Sequence, residues 1–125
     1  MWINANPNPK HRTGTDCVIR AICFAFDMSW YDVYDDLCRV GRMDCEWGCN
    51  DTVWGHYLLM RGCTPVVLPK KCPRCITIAE FANQHPRGTY IIGTGGHAVA
   101  VIDGDYYDSW DSGDELASFF WKVPR

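Results

Sequence analysis

Apolar residues recur at helical spacing in the first third of the chain. Residues 16–26 are apolar on nearly every side, which predicts a buried helix that begins beside Asp16. Residues 29–41 form a second pattern, apolar on one face and acidic on the other. Ser29 has the position of an N-cap in a capping box, and Gly41 follows the last predicted turn. The chain therefore begins its folded part with a buried helix and an amphipathic one.

Two shorter helices are predicted in the middle of the chain. The first covers residues 50–61, between a polar cap and Gly62. The second covers residues 77–84, where Thr77 and Glu80 have the spacing of a capping box. Both segments are bounded by residues that favour helix ends, so their limits are set locally.

Runs of β-branched and aromatic residues predict strands in the second half. These runs cover residues 64–68, 88–94 and 119–123, with a hairpin over residues 95–111. Helices come first and an antiparallel sheet follows, which is α+β organisation within a single domain over residues 1–125. Residues 1–15 contain two prolines among asparagines and are predicted to form an irregular, mostly extended arm.

The hairpin has the clearest local signal in the chain. Asp103 and Gly104 stand between two alternating runs, and Asp-Gly at that place favours a two-residue turn. That turn fixes the register and puts His97 and Asp108 on one face as diagonal neighbours. Asp111 points to the opposite face in this register, and a β-bulge would exchange the two aspartates. A histidine oriented by a carboxylate is half of a nucleophilic catalytic unit.

Composition and charge exclude several classes of function. The net charge is −3 and the basic residues are scattered, so the chain has no electrostatic footprint for nucleic acid. No apolar run approaches the length of a membrane span, and the polar N-terminus lacks the apolar core of a secretory signal. We therefore expect a cytoplasmic protein without membrane partners, whose eight cysteines are mostly thiols.

Cys17 is the candidate nucleophile that the hairpin requires. It falls in the first turn of the first predicted helix, where the helix dipole and unpaired amides favour a thiolate. The same amides can stabilise a developing oxyanion. The alternative is that Cys17 is a small buried apolar residue.

These residues resemble the papain-like cysteine peptidases in order and surroundings. In that superfamily the nucleophilic cysteine opens a buried helix near the N-terminus, and the histidine begins a strand in a later antiparallel sheet. An Asn or Asp follows on the next strand, often before Ser-Trp. Here Cys17 opens the helix, His97 opens a strand, and Asp108-Ser109-Trp110 lies on the next one. In size the chain is similar to compact bacterial and phage-encoded members, such as the bacteriocin-processing peptidases.

The resemblance implies a papain-like fold and a role for each of four residues. Cys17 would be the nucleophile, His97 the general base and then acid, Asp108 the orienting carboxylate, and Trp110 the shield of the His–Asp pair. The glutamine that helps to form the oxyanion hole in that superfamily is replaced here by His11. The candidates to substitute for it, as oxyanion partners, are Asn6, Asn8, His11 and Asp16.

Four further cysteines have the spacing of a zinc site. Cys45 and Cys49 form a Cys-x3-Cys half, and Cys72 and Cys75 form a Cys-x2-Cys half. Four thiolates leave no open position for a substrate, so such a zinc ion would be structural. The alternatives are unligated thiols or a redox pair at the second half. The predicted chemistry at Cys17 requires no cofactor.

The leading hypothesis is a cysteine-dependent hydrolase with a Cys–His–Asp triad. It would act on a protein or peptide substrate as a peptidase, isopeptidase or amidase. One alternative is a catalytically inactive binding module on the same fold. The other is a small zinc-stapled interaction domain in which Cys17 belongs to the core.

Overall fold

The structure is a computed structural model that describes residues 1–124. The described residues form an α+β fold with four helices and six strands. The helices are α1 (Cys17–Phe26), α2 (Trp30–Asp44), α3 (Asp51–Met60) and α4 (Ile78–Gln84). The strands are β1 (Trp2–Asn4), β2 (Thr64–Val67), β3 (Thr89–Gly93), β4 (Ala98–Ile102), β5 (Asp105–Asp108) and β6 (Phe119–Val123).

All six strands belong to one mixed sheet, in the order β1-β5-β4-β3-β6-β2. Every pair is antiparallel except β1 and β5, which are parallel. The antiparallel sheet predicted from the sequence therefore needs one correction. Residues 2–4, which were predicted to belong to the arm, form a strand at one edge of the sheet. Pairing with β5 provides hydrogen-bond partners for backbone groups of both segments.

Both faces of the sheet are covered. On one face α1, α2 and α3 pack over Ile91, Ala100 and Trp121. On the other face α4 packs over a second cluster that includes Ile92 and Val101. Burial on both sides explains why β3 and β4 are apolar at nearly every position instead of alternating.

Helix α2 extends beyond Gly41, where the sequence predicted that it would end. Ser29 caps it by accepting a hydrogen bond from the amide of Asp32, as predicted, but the helix continues past Gly41 to Asp44. Gly41 is buried, and a Cβ atom there would lie 2.6 Å from the carbonyl oxygen of Glu46. The glycine therefore permits the following loop to approach the helix and does not end it.

The hairpin turn is the one predicted. Ile102 pairs with Asp105 across a two-residue turn in which Asp103 and Gly104 have φ angles of 49° and 87°. Both values lie in the left-handed region that this turn requires. At the other end of the hairpin, β1 lies along β5, and the indole of Trp2 donates to the carbonyl oxygen of Asp108 at 3.1 Å. The end that carries Asp108 is thus held by a neighbouring strand.

The described residues include no helix that is long and apolar enough to cross a membrane.

Candidate active site

The start of α1 meets the end of the hairpin remote from its turn. Cys17 is the first residue of α1, His97 directly precedes β4, and Asp108 is the last residue of β5. The Nε2 atom of His97 donates to Oδ2 of Asp108 at 2.5 Å. The Cys17 thiol lies beside His97 and the amide of Ala98, and its interactions with both lower the pKa of the thiol. Since Nε2 faces the carboxylate, Nδ1 is the imidazole nitrogen left for the sulfur.

Asp108 is buried and held by several donors. Its Oδ2 accepts the hydroxyl of Ser112 at 2.7 Å as well as His97, and its Oδ1 accepts the amide of Ser109 at 2.8 Å. Asp111, the other aspartate considered from the sequence, instead accepts the hydroxyl of Tyr106 at 2.5 Å. The register therefore brings Asp108 to His97, and no bulge exchanges the two aspartates.

The electrostatics of the three groups favour a thiolate beside an imidazolium. Burial lowers the pKa of His97, but its hydrogen bonds to Asp108 and Cys17 raise that pKa to about 9. Burial raises the pKa of the Cys17 thiol, but the contact with His97 and the amide of Ala98 bring it below its usual value. Burial likewise raises the pKa of Asp108, which its hydrogen bonds from His97 and Ser112 lower overall. All three shifts thus favour a Cys17–His97 ion pair oriented by an ionised Asp108 carboxylate.

The N-terminus of α1 keeps its amides free of a side-chain cap. Asp16 occupies the N-cap position, but its side chain makes no capping hydrogen bond. Its Oδ2 accepts the indole of Trp30 at 2.9 Å and the amide of Asn8 at 2.8 Å instead. The first-turn amides beside Cys17 are therefore available to a ligand, and the helix dipole adds to their attraction for negative charge.

Cys17 and His97 line an open cleft. The cleft has a volume of about 200 Å³. The segment 94–97 also lines a second groove of about 550 Å³, whose wall includes Trp110. Gly95 and Gly96 line both, and a Cβ atom at either would touch nothing within 4 Å. Both cavities are thus bordered by His97 and by bare backbone at the two glycines.

Trp110 covers part of the His97 ring. The two ring centres are 5.1 Å apart and their planes are tilted by 41°. The indole is itself 44% exposed, so it separates the His97–Asp108 pair from solvent on one side only. The resemblance to papain-like peptidases predicted that Trp110 would shield the His97–Asp108 pair, and the indole lies against the His97 ring.

The sequence candidates for an oxyanion partner do not line the cleft. Asn8 is buried, with its side-chain oxygen accepting the amide of Lys10 and its nitrogen bound to Asp16. The side-chain oxygen of Asn6 accepts from the amide of Asn8. His11 is exposed in the arm, at a positive φ of 54°. The polar side chain that borders the cleft at the start of α1 is Thr15.

The four cysteines with zinc spacing are not brought together. Cys72 and Cys75 form a disulfide, whereas Cys45 and Cys49 are exposed free thiols. Within residues 1–124, no group of three or more His, Cys, Asp or Glu side chains has the arrangement of a metal site. The spacing was compatible with a zinc site, but Cys72 and Cys75 are bonded to each other and supply no thiolate ligands. Cys49 instead lines the cleft that contains Cys17.

Sequence reasoning missed three residues of this region. Arg20 is buried next to Asp16 and Asp108, Ser112 donates to Asp108, and Thr15 borders the cleft. Arg20 could have been recognised from the sequence, because it stands inside an otherwise apolar helix. A buried arginine needs a charged partner, which would have pointed to a nearby carboxylate. Ser112 had none, since it lies in an irregular segment after the hairpin.

Comparisons of the chain with models of known protein families, with curated proteins and with solved structures find no match.

Proposed function

We propose that this protein is a cysteine-dependent hydrolase of papain-like type, with Cys17 as nucleophile. The observation that carries the proposal is the double contact of His97, which meets the Cys17 thiol on one side and the Asp108 carboxylate on the other. This is the arrangement of nucleophile, base and orienting group that acyl transfer needs. Cys17 and His97 also border an open cleft, which a sealed binding module would lack.

The reaction follows from the charges of the pair. The Cys17 thiolate attacks the carbonyl carbon of an amide, forming a C–S bond and an oxyanion. The amides at the start of α1, with the hydroxyl of Thr15, stabilise that oxyanion. As the C–N bond breaks, the His97 imidazolium gives its proton to the leaving amine, which leaves a thioester on Cys17.

Deacylation uses the same groups, but His97 now acts as a base where it acted as an acid during acylation. Neutral His97 takes a proton from water as the water oxygen attacks the thioester carbon. The C–S bond breaks, the acid product leaves, and Cys17 returns as a thiolate beside the imidazolium. Asp108 keeps its charge throughout and holds the imidazole in the required orientation.

The substrate class is a protein or peptide amide, including an isopeptide. Bare backbone at Gly95 and Gly96 leaves room for a chain to pass beside His97. The proposed activity is therefore that of a peptidase, isopeptidase or amidase.

The test compares two cysteines that border the same cleft. The folded protein is treated with iodoacetamide below saturation at neutral pH, and the labelled sites are mapped by mass spectrometry. We expect Cys17 to react before Cys49, although Cys49 is the more exposed, because only Cys17 contacts His97. His97→Ala should remove this preference, and Cys49→Ser should leave it intact.

A peptide mixture then tests for hydrolysis. Cleavage products that appear with the wild type and not with Cys17→Ala would support the proposal. If Cys17 reacts no faster than Cys49 in the folded protein, the ion pair does not exist and the proposal fails. If Cys17 is reactive but a broad peptide mixture and an activated ester both remain intact, the binding module becomes the better account.

A further inference from the structure

Arg20 lies buried between the helix that carries Cys17 and the strand end that carries Asp108. It is 4% exposed. Its Nε lies 3.2 Å from Oδ1 of Asp16, an ion pair without the angle of a hydrogen bond. One terminal nitrogen donates to the hydroxyl of Ser109 at 2.5 Å and lies 3.7 Å from Oδ1 of Asp108. The guanidinium therefore joins α1 to the residues that follow β5.

The charges around Arg20 show why a cation is needed at this place. Asp16 at the N-cap of α1 and Asp108 at the end of β5 are both largely buried carboxylates. In the proposed function the Cys17–His97 pair, at the junction of α1 and β4, adds a thiolate and an imidazolium. Without the guanidinium, two carboxylates and a thiolate would face a single imidazolium. Buried charges of one sign are strongly unfavourable unless a partner compensates them.

Arg20 also fixes the position of α1 relative to the hairpin. It belongs to the same helix as Cys17, three residues further along, so its contacts transmit the position of α1 to the hairpin. Ser109 and Asp108 are consecutive, and Asp108 also accepts the Ser109 amide. A planar guanidinium holds such neighbours in a defined direction, which an ammonium group does less well.

We propose that Arg20 is a positioning residue of the triad, which locks the Asp108 end of the hairpin to the Cys17 helix and favours the ionised state of the site. It contacts no substrate and acts through Asp108 and Cys17. The inference rests on the proposed function, because it assigns Arg20 to the same Cys17–His97–Asp108 site.

The experiment measures the rate of Cys17 alkylation by iodoacetamide as a function of pH, in the full chain. Arg20→Met removes the charge, and Arg20→Lys keeps it. Arg39→Met is the matched control, since Arg39 is an exposed arginine on α2 paired with Asp36 at 3.1 Å. Circular dichroism and thermal unfolding establish that each variant is folded.

We expect Arg20→Met to move the acidic limb of the rate profile upward by about one pH unit. At pH values on that limb, alkylation should then fall about tenfold, because less of Cys17 is a thiolate. Arg20→Lys should recover most of that rate, and Arg39→Met should match the wild type. Should Arg20→Met be unfolded, Arg20→Gln removes the charge but keeps a donor for Ser109, and the same upward shift is expected there.

Two results separate the failure of this inference from that of the proposed function. If wild-type Cys17 is no more reactive than Cys49, the proposed function fails. If wild-type Cys17 is reactive and a folded Arg20→Met variant keeps the same acidic limb, Arg20 serves only the fold and the inference is overturned.

Discussion

The hydrogen bond between His97 and Asp108 makes a quantitative prediction about stability. The substitution is Asp108→Asn, which removes the carboxylate charge and nearly keeps the shape. In the folded protein the pKa of His97 rises from 6.5 to about 9. One pKa unit corresponds to about 1.4 kcal/mol, so the shift represents about 3 kcal/mol of folding free energy. Both side chains are well buried, at 11% and 4% exposed, so solvent screens this interaction little.

The sign follows from the direction of the shift. Because the pKa of His97 is higher in the folded state, its contribution is complete below about pH 6.5 and is lost as the pH rises through about 9. Asp108 and Cys17 share the contribution, since both contact the imidazole. We therefore expect Asp108→Asn to destabilise the protein by about 1–2 kcal/mol more near pH 6 than near pH 10.

The assay is denaturant unfolding of the wild type and the variant at both pH values. The variant also weakens the contacts with Ser109, Ser112 and Arg20, but that loss is the same at both pH values and cancels in the comparison. Repeating the pair of measurements in a Cys17→Ala background isolates the Asp108 part. An equal loss of stability near pH 6 and near pH 10 would refute the assignment of the raised pKa to this contact.

Three other substitutions have expected outcomes. Ser112→Ala removes a buried donor to Asp108 and should lower the free energy of unfolding by about 1 kcal/mol, measured in urea. Gly41→Ala places a Cβ atom 2.6 Å from the carbonyl oxygen of Glu46 and should destabilise by about 1–3 kcal/mol in the same assay. Thr15→Val should slow acylation of the protein by p-nitrophenyl acetate about 100-fold, because the oxyanion loses a donor. The same variant should leave alkylation by iodoacetamide unchanged, since that reaction forms no oxyanion, and equal acylation rates would exclude the hydroxyl.

Part of the candidate site was predictable because interactions between residues close together in the sequence determine it. The Asp103-Gly104 turn depends on the left-handed preference of two adjacent residues, and the register of a two-residue hairpin follows from it. That register is enough to bring His97 to Asp108. The helix that begins at Cys17 is likewise set by its own apolar pattern.

The contacts between distant segments were not predictable in the same way. The sequence placed residues 1–15 in an arm, whereas residues 2–4 form a parallel edge strand on β5. It offered Asn6, Asn8, His11 and Asp16 as oxyanion candidates. In the structure, Asn8 donates to Asp16, and neither lines the cleft. Such pairings depend on which surfaces remain after the main core has packed, and no local spacing encodes them.

Sequence by itself determined most of the elements, the hairpin register and the residues that are candidates for the proposed chemistry. Only the tertiary structure decided that α1 docks at the end of the hairpin and brings Cys17 to His97. It also decided that Arg20 sits between Asp16 and Asp108. The reason is physical: turns and helix ends are fixed by interactions among a few neighbouring residues. The docking of α1 is fixed by burial of apolar surface contributed by segments far apart in the chain.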